Sequence, residues 1–410
     1  MILPKTRYTT DGYKLSVGYI FWYWNMVRGM DVQGRYMFVD RDGRQYPKTF
    51  ADQLREKFFE NAELPARPEI SRYTADNWPF IPEEYLRWYD RVFYFDPSQI
   101  DLSQKGGDLW IYYEGPLHTV NHHEIISLFD ISNLITENFG YKPKYRWQDR
   151  VHHDARILKE RGVTHSHGGG RRANSRKHHD EVLGILSQYK EGVEKKGGFF
   201  GESFIDMAYE HNLMIMGTMG HEFPMACAGI WGVENANRMA RKIWRELYGK
   251  NLGYWLDDTW GTEWSDKEMT AQEAKDFRGS RHDSWPFERY VDQKLNFYKR
   301  RGVDSREKEI ISSEGMKTLE DIVHTTEYKA GKFKPASLLG KFWTNYECVP
   351  EIPTVSPRTG YNIVNKLVAV KVGDGPWKDV CKLSNDISKA VGKPEAIAEA
   401  IAARDAALAR

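Results

Sequence analysis

Four clusters of polar residues follow short apolar runs in the second half of the chain. The clusters are Thr218, His221 and Glu222; Asp257, Asp258 and Thr259; Arg281, His282 and Asp283; and Ser312, Ser313 and Glu314. A histidine can act as a nucleophile, an acid, a base or a metal ligand, carboxylates can stabilise a cation, and arginine binds anions. One cluster alone is equally well explained by a helix cap or a surface ion pair. Four in series indicate a single site.

The elements around these clusters predict how the side chains are positioned. Apolar runs at 213–216 and 252–256 are typical of buried strands, and helical patterns follow at 233–247, 287–298 and 319–328. The repeated order of strand, polar cluster and helix predicts a parallel sheet with crossover helices. In a barrel of this kind functional residues lie at the carboxyl ends of the strands, and we therefore expect the clusters to converge.

The chain divides into three predicted regions. Residues 1–145 mix partly alternating aromatic runs with helical stretches, and the amphipathic pattern at 123–135 is typical of a helix. This predicts an N-terminal α+β domain. Residues 146–365 form the predicted α/β barrel, including a helix at 180–196. Residues 366–410 form a C-terminal segment that packs back on the N-terminal domain.

Composition excludes some classes of partner. The 410 residues include 59 Lys and Arg and 58 Asp and Glu, a formal net charge of +1, which argues against a general nucleic-acid or membrane-surface binder. Three widely spaced cysteines favour a reducing compartment. The apolar stretch at 17–24 is shorter than the roughly 20 residues of a membrane-spanning helix. We expect a soluble cytoplasmic protein.

A glycine-rich turn precedes two arginines in the stretch His165-Ser-His-Gly-Gly-Gly-Arg-Arg172. Glycines expose backbone N–H groups, and adjacent arginines bind phosphate oxygens. Together with the carboxylates and the many aromatic residues, this turn indicates chemistry on a phosphorylated sugar and a heterocycle.

Six motifs resemble those of the nicotinate and nicotinamide phosphoribosyltransferases. In this sequence they read Thr10-Asp-Gly-Tyr-Lys-Leu15, Gly217-Thr-Met-Gly-His-Glu-Phe223, Leu256-Asp-Asp-Thr-Trp-Gly-Thr262, Gly279-Ser-Arg-His-Asp-Ser284, Tyr361-Asn-Ile-Val-Asn-Lys-Leu-Val368 and Lys382-Leu-Ser-Asn-Asp386. Their common order along residues 10–386 makes the resemblance specific.

The resemblance implies a fold and a reaction. The fold is the type II phosphoribosyltransferase fold, an irregular α/β barrel beside an N-terminal α+β domain. The reaction joins a pyridine base to 5-phosphoribosyl 1-pyrophosphate (PRPP) with Mg²⁺ and releases pyrophosphate, giving a mononucleotide for NAD biosynthesis. In the nicotinate branch ATP is a co-substrate and a histidine is phosphorylated.

The resemblance also implies roles for individual residues, with none assigned to a resident metal. His221 is the phosphorylated histidine, Asp258 and Asp283 contact the ribose, and Arg281 contacts the base or a phosphate. Tyr13 stacks on the base from the neighbouring subunit of a homodimer. The other implied substrate-binding residues are His167, Arg171, Arg172, Ser203, Thr218, Ser313, Gly315, Gly340 and Thr344.

Several positions depart from the family motifs. His167 stands where the family has a stacking phenylalanine, and a shift of one residue leaves open whether Arg171 or Arg172 faces the ligand. Gly201-Glu-Ser-Phe204 replaces Gly-Thr-Ser-Asn, and Trp285 replaces a glycine. Ser203 aligns with the acidic residue that reads the amide in the nicotinamide branch, which favours nicotinate.

Three other readings stay open at this point. The first is a nicotinamide-specific phosphoribosyltransferase. The second is a metal-dependent barrel hydrolase, with His165, His167, His221 and Asp283 as zinc ligands. The third is a non-catalytic descendant that binds the substrates without turnover.

Overall fold

The computed structural model describes residues 4–143, 145–192, 197–340, 342–343, 348–350 and 361–410. The strands in these ranges are β1 (Val32–Asp40), β2 (Ile100–Lys105), β3 (Asp108–Pro116), β4 (Tyr141–Pro143), β5 (Thr164–His167), β6 (Gly198–Glu202), β7 (Met214–Ile215), β8 (Tyr254–Trp255), β9 (Gly279–His282), β10 (Glu309–Ser312), β11 (Lys334–Leu339), β12 (Cys348–Pro350), β13 (Ile363–Val372) and β14 (Lys378–Asp379).

The helices connect these strands and cover them. The α-helices are α1 (Gly12–Trp22), α2 (Phe50–Ala62), α3 (Pro68–Asn77), α4 (Glu83–Arg91), α5 (Leu117–Val120), α6 (His123–Asn138), α7 (Trp147–Glu160), α8 (Arg176–Leu186), α9 (Ile205–Glu210), α10 (Glu222–Trp231), α11 (Val233–Tyr248), α12 (Thr262–Glu268), α13 (Ala271–Asp276), α14 (Phe287–Arg300), α15 (Leu319–Lys329) and α16 (Pro394–Ala409). A π-helical turn, Tyr23–Val27, extends α1, and a 3₁₀ turn, Gly170–Arg172, follows β5.

The first sheet is antiparallel, with the order β14-β13-β1-β3-β2. Strand β1 alternates buried and partly exposed residues, as expected when one face of a sheet packs on a core. Strand β1 pairs with β13 along its whole length. Residues 32–40 and residues 363–372 therefore lie side by side in one sheet.

The second sheet is parallel, with the order β7-β6-β5-β11-β10-β9-β8, and it is curled into a half-barrel. Every neighbouring pair in it is parallel, and the carboxyl ends of its strands face the same side. The predicted α/β class, an irregular barrel with a second α+β unit, is confirmed. The predicted strands at 213–216 and 252–256 correspond to β7 and β8.

Helix α1 lies where the two sheets meet. Most of its residues are buried, which explains the aromatic density of residues 17–24. A Cβ atom on Gly12 would lie 2.5 Å from the carbonyl oxygen of Met216, so only glycine allows the helix to begin this close to the end of β7. The first helix therefore starts at the carboxyl edge of the parallel sheet.

One predicted helix differs in its bounds from the observed one. The helix expected at 180–196 begins earlier and ends sooner, because α8 spans Arg176–Leu186 and a 3₁₀ turn, Ser187–Tyr189, follows it. Residues 193–196 lie outside the described ranges.

Among the helices that the structure describes, none combines the length and the apolar character needed to cross a lipid bilayer.

Candidate active site

A cavity of about 1020 Å³ lies at the carboxyl ends of the parallel strands and continues along the inner face of the curled sheet. Residues of β1 and β13, such as Tyr36 and Lys366, line its opposite wall, so both sheets enclose it. Ten of the residues predicted from the sequence line this cavity: Tyr13, Arg171, Arg172, Ser203, Thr218, His221, Arg281, Asp283, Ser313 and Gly340.

His221 stands at the N-terminus of α10 with its imidazole almost completely buried. Its Nδ1 lies 3.1 Å from Thr259 Oγ1, and its Nε2 lies 2.7 Å from Lys382 Nζ. Nε2 also lies 3.0 Å from Asp283 Oδ2, so it faces both a donor and an acceptor. Because an ammonium group can only donate and its contact is the shorter one, we assign the lone pair to Nε2 and the ring proton to Nδ1. Burial, followed by the charge of Lys382, lowers the pKa of His221 to about 4. The ring is therefore neutral at pH 7.

Lys382 joins His221 to two carboxylates. Its Nζ lies 3.3 Å from Asp283 Oδ2 and 3.4 Å from Asp258 Oδ2. Burial alone would raise the pKa of Asp258, but Lys382 and His221 hold it below its usual range. Burial would also raise the pKa of Asp283, but the charges of Lys382 and Arg281 hold it well below its usual range. Both carboxylates are therefore ionised beside a neutral histidine.

The adjacent residues Asp257 and Asp258 have different surroundings. Asp257 is fully buried and forms an ion pair with Lys294 of α14. Asp258 accepts a hydrogen bond from Ser284 Oγ at 2.8 Å, and its Oδ1 lies 3.7 Å from His221 Nε2. Asp257 thus belongs to the packing of the barrel, whereas Asp258 lies beside His221, just behind the cavity wall.

Tyr13, Asp11 and Ser203 form one end of the cavity. A Cβ on Gly217 would lie 2.6 Å from the backbone nitrogen of Tyr13, and a Cβ on Gly220 would lie 2.8 Å from its ring, so both glycines permit this close approach. Ser203 Oγ donates to Asp11 Oδ1 at 2.6 Å. Burial raises the pKa of Asp11 to about 6. Tyr13 lines the cavity of this chain, and its predicted contribution to a neighbouring subunit stays a prediction.

Four of the cations that line the cavity come from three further segments of the chain. Arg171 and Arg172 lie on the turn after β5, Arg41 follows β1, and Lys366 is part of β13. Both arginines of the turn therefore line the cavity. Burial and the neighbouring Arg171 lower the pKa of Arg172 to about 9, and burial lowers the pKa of Lys366 to about 7. An anion bound here would relieve the repulsion between these cations.

Arg281 spans two of the predicted clusters. Its Nη1 donates to the carbonyl oxygen of Met219 at 3.1 Å and lies 3.4 Å from Thr218 Oγ1. Its Nη2 lies 3.6 Å from Asp283 Oδ1. These contacts hold the guanidinium group against the turn that leads to His221, so its position depends on the local backbone.

The loops after β10 and β11 contribute some of their predicted residues to the cavity. Ser313 Oγ donates to the carbonyl oxygen of His282 at 2.7 Å, and Ser313 and Gly340 line the cavity. Gly315 is exposed beyond the cavity and has a φ of +82°. Thr344 lies outside the described residues. The predicted phosphate-binding region is therefore represented here by Ser313 and Gly340.

His167 does not line the cavity, which corrects the expectation that it stacks on a ligand. Along β5, Ser166 and the following Gly168 face the cavity, and His165 and His167 alternate to the opposite, buried face. The four-ligand zinc site of the hydrolase reading is therefore not assembled. The space bounded by His221, Asp258 and Asp283 is occupied by the ammonium group of Lys382.

Sequence reasoning missed several residues of this site. Lys382 and Asp11 lie within the motifs noted above, so a signal for them existed. Arg41 and Lys366 carry no local signal, because their place in the cavity depends on the pairing of β1 with β13.

Comparison with known proteins agrees with this geometry. The model of the nicotinate phosphoribosyltransferase (NAPRTase) family matches residues 165–395. The nicotinate phosphoribosyltransferase of Methanosarcina mazei is 27% identical over 368 residues, covering 85% of this chain and 88% of the relative. That of Chromohalobacter salexigens is 28% identical over 373 residues, covering 89% of this chain and 90% of the relative.

Solved structures give the same result. The nicotinate phosphoribosyltransferase from Porphyromonas gingivalis superposes with a TM-score of 0.89 at 28% identity, covering 98% of this chain and all (100%) of that one. The structure of nicotinate phosphoribosyltransferase from Vibrio cholerae gives a TM-score of 0.84 at 21% identity, covering 98% of this chain and 94% of that one, which supports the fold alone.

A half-barrel facing an antiparallel sheet, with carboxylates and a neutral histidine at the strand ends, defines an enzyme of the phosphoribosyltransferase class. Within that class the family model covers more than half of the sequence and includes all four of the strand-end clusters predicted from the sequence. The chain belongs to the nicotinate phosphoribosyltransferase family.

Proposed function

We propose that this protein joins nicotinate to PRPP, giving nicotinate mononucleotide and pyrophosphate, and that ATP hydrolysis drives the reaction as part of NAD biosynthesis. The observation that carries the proposal is the placement of a neutral, buried His221 between Lys382 and Asp283, in a cavity that is also lined by Arg41, Arg171, Arg172 and Lys366. The names of the relatives support nicotinate as the base. A serine at position 203, in place of an acidic residue, also favours a base that carries a carboxylate.

The cavity suits the two substrates by charge and shape. Tyr13 offers a flat aromatic ring to the pyridine, and Arg171 offers a cation to its carboxylate. Arg41, Arg172 and Lys366 would bind the pyrophosphate group. Placing the two reactants side by side in this way removes most of the entropic cost of bringing them together.

The carboxylates would act on the ribose. Departure of pyrophosphate leaves positive charge on the anomeric carbon, and the ionised Asp258 and Asp283 stabilise that charge while the cations hold the leaving group. The pyridine nitrogen is the nucleophile, so the C–N bond forms as the C–O bond to pyrophosphate breaks. No protein atom needs to attack carbon.

His221 would couple ATP to this reaction. Its Nε2 lone pair attacks the γ-phosphorus of ATP, an N–P bond forms, and the P–O bond to ADP breaks. Lys382, which already contacts Nε2, would neutralise charge on the transferred phosphoryl group. Water later hydrolyses the phosphohistidine to phosphate and restores the neutral ring.

Mg²⁺ fits this site as a partner of the substrate phosphates. It prefers oxygen ligands and is commonly held by one or two carboxylates together with phosphates. Asp283 lines the cavity, so its carboxylate would hold the ion together with the phosphate oxygens of the substrate. When bound, the ion would neutralise the charge of the pyrophosphate group.

The test compares two bases with and without ATP. With PRPP and Mg²⁺, we expect nicotinate to give its mononucleotide faster than nicotinamide does, with ADP formed in step with product. His221→Asn should abolish ADP formation and leave a slower basal reaction, whereas His324→Asn, an exposed control, should change neither. Preferred use of nicotinamide would establish the alternative specificity. Absence of turnover with both bases would refute the proposal.

A further inference from the structure

Two positions that depart from the family motifs lie in direct contact. His167 ends β5 and Glu202 ends β6, and the two residues are paired in the register of these strands. His167 Nδ1 lies 2.5 Å from Glu202 Oε2. The related motifs have phenylalanine and threonine at these positions, so both members of this contact depart from those motifs.

A β-bulge makes this contact possible. His165 pairs with Phe199, but Ser166 pairs with Gly201, so Phe200 is an extra residue on β6. The extra residue turns the end of β6, and Glu202 comes to the buried face on which His167 lies. Phe200 instead lines the cavity.

His179 of α8 completes a network that we call the His–Glu–His network, formed by His167, Glu202 and His179. His179 Nε2 lies 3.3 Å from Glu202 Oε2 and 3.2 Å from His167 Nδ1. The exposed fractions of the three residues are 0%, 0% and 2%. Burial raises the pKa of Glu202, but the two histidines outweigh burial and hold the pKa well below its usual range. The carboxylate is therefore ionised and shielded from water.

The second oxygen of Glu202 holds the turn that follows β6. Glu202 Oε1 accepts a hydrogen bond from the backbone N–H of Phe204 at 2.7 Å and lies 3.4 Å from Ser203 Oγ. The backbone N–H of Ser203 donates to the carbonyl oxygen of His167 at 3.0 Å. Both members of the pair thus fix Ser203 at the edge of the cavity.

Ser203 in turn fixes the N-terminal loop. Its hydroxyl donates to Asp11 Oδ1 at 2.6 Å, and its carbonyl oxygen accepts from the N–H of Gly12 at 2.8 Å. The next residue is Tyr13, whose ring lines the cavity. The buried carboxylate of Glu202 is therefore connected to the cavity through Ser203. The hydrogen bonds in this connection are shorter than 3.1 Å, and the contact between Glu202 and the Ser203 hydroxyl is longer.

We infer that His167, Glu202 and His179 are positioning residues that set the affinity for the pyridine base by fixing Ser203, Asp11 and Tyr13. The network is charged, whereas the related motifs have uncharged residues at positions 167 and 202. It acts on the base end of the cavity through Ser203, Asp11 and Tyr13, whereas two of the three cations assigned to the pyrophosphate group, Arg41 and Lys366, belong to the antiparallel-sheet side of the molecule. This inference rests on the proposed function for the identity of the base.

A double-mutant cycle tests the inference. Glu202→Thr alone removes the carboxylate that both buried histidines contact, and His167→Phe alone leaves that carboxylate with His179 as its one histidine neighbour in the network. We expect each single variant to raise the KM for nicotinate about tenfold or more, with kcat and the KM for PRPP changed less than about threefold. The double variant His167→Phe, Glu202→Thr restores an uncharged pair, and its KM for nicotinate should return to within about threefold of the parent value.

Two controls separate positioning from general loosening. Arg241→Met removes a buried cation that pairs with Glu273 on α13, so it should lower the melting temperature without changing the KM for nicotinate. Glu202→Gln keeps the shape and the bond to Phe204, and we expect it to fold where Glu202→Thr does not and to show an intermediate KM.

Backbone hydrogen exchange gives a readout that does not depend on turnover. The N–H of Gly12 should exchange faster in both single variants and return toward the parent rate in the double variant. Equal rises in the KM values for nicotinate and PRPP, or additive effects in the double variant, would overturn the inference. If the parent enzyme does not use nicotinate, the proposed function fails. In that case the positioning role of the His–Glu–His network is tested separately, and unchanged hydrogen exchange at Gly12 in the single variants would refute it.

Discussion

Replacing Lys382 with methionine should raise the pKa of His221. The ammonium group lies 2.7 Å from His221 Nε2, and its removal leaves the imidazole beside Asp258 and Asp283, which both favour the protonated ring. Two unit charges about 4 Å apart interact by about 4 kcal/mol at an effective dielectric constant of about 20, and one pKa unit is about 1.4 kcal/mol. Since water will enter the space left by the ammonium, we expect a rise of about 2 units, from about 4 to about 6.

The assay is an NMR titration of the histidine Cε1 protons between about pH 4 and pH 8, a range centred on the usual pKa of histidine. The signal of His221 is identified by its loss in His221→Asn. Lys382→Arg keeps the positive charge and serves as the control, with a pKa close to that of the parent. Because the neutral ring is the reactive form, ATP-coupled activity of Lys382→Met should be lost as the pH falls through the new pKa, whereas the parent should keep it to lower pH.

Two results would contradict this reasoning. A pKa of His221 in Lys382→Met within about half a unit of the parent value would show that the charge of Lys382 does not control the ring. A rise in Lys382→Arg equal to that in Lys382→Met would show that shape, and not charge, is responsible.

Three further predictions concern stability and assembly. Lys294→Met strands the buried carboxylates of Asp257 and Asp266 and should lower the free energy of unfolding by about 3–5 kcal/mol in urea titrations, with partial recovery on adding Asp266→Asn. Trp285 has a φ of +75°, so Trp285→Gly should be more stable than Trp285→Ala by about 1 kcal/mol; equal melting temperatures would show that the backbone is not strained there. The homodimer implied by the family resemblance, with its sites at the subunit interface, predicts that specific activity falls as subunits dissociate over about a thousandfold dilution, and constant activity would contradict this.

The strand ends were predictable from the sequence because their signals are local. An apolar run of four or five residues followed by polar side chains identifies a strand and its end, and the parallel sheet then brings successive ends together. His221, Arg281, Asp283 and Ser313 consequently lie on one cavity, as the pattern predicts.

Other features depend on long-range pairing or on small irregularities. Arg41 and Lys366 reach the cavity only because β1 pairs with β13. His167 faces away from the cavity because of its alternation along β5, and the one-residue bulge on β6 gives it a buried partner in Glu202. A bulge leaves no periodic signal in the sequence, so the contact of His167 with Glu202 could not be predicted.

The pairing of β1 with β13 also affects how the enzyme is made. Asp40 and Ile363 are partners in this ladder, and more than 300 residues separate them in the chain. At a synthesis rate of about 5–20 residues per second, β1 would wait for roughly 15 to 70 s before β13 leaves the ribosome. In the finished sheet β1 lies between β3 and β13. Until β13 has been made, β1 can pair with β3 alone, and its other edge is free to pair with strands of other chains. We therefore expect the site to form last, and nascent chains truncated before β13 to aggregate or to require chaperones.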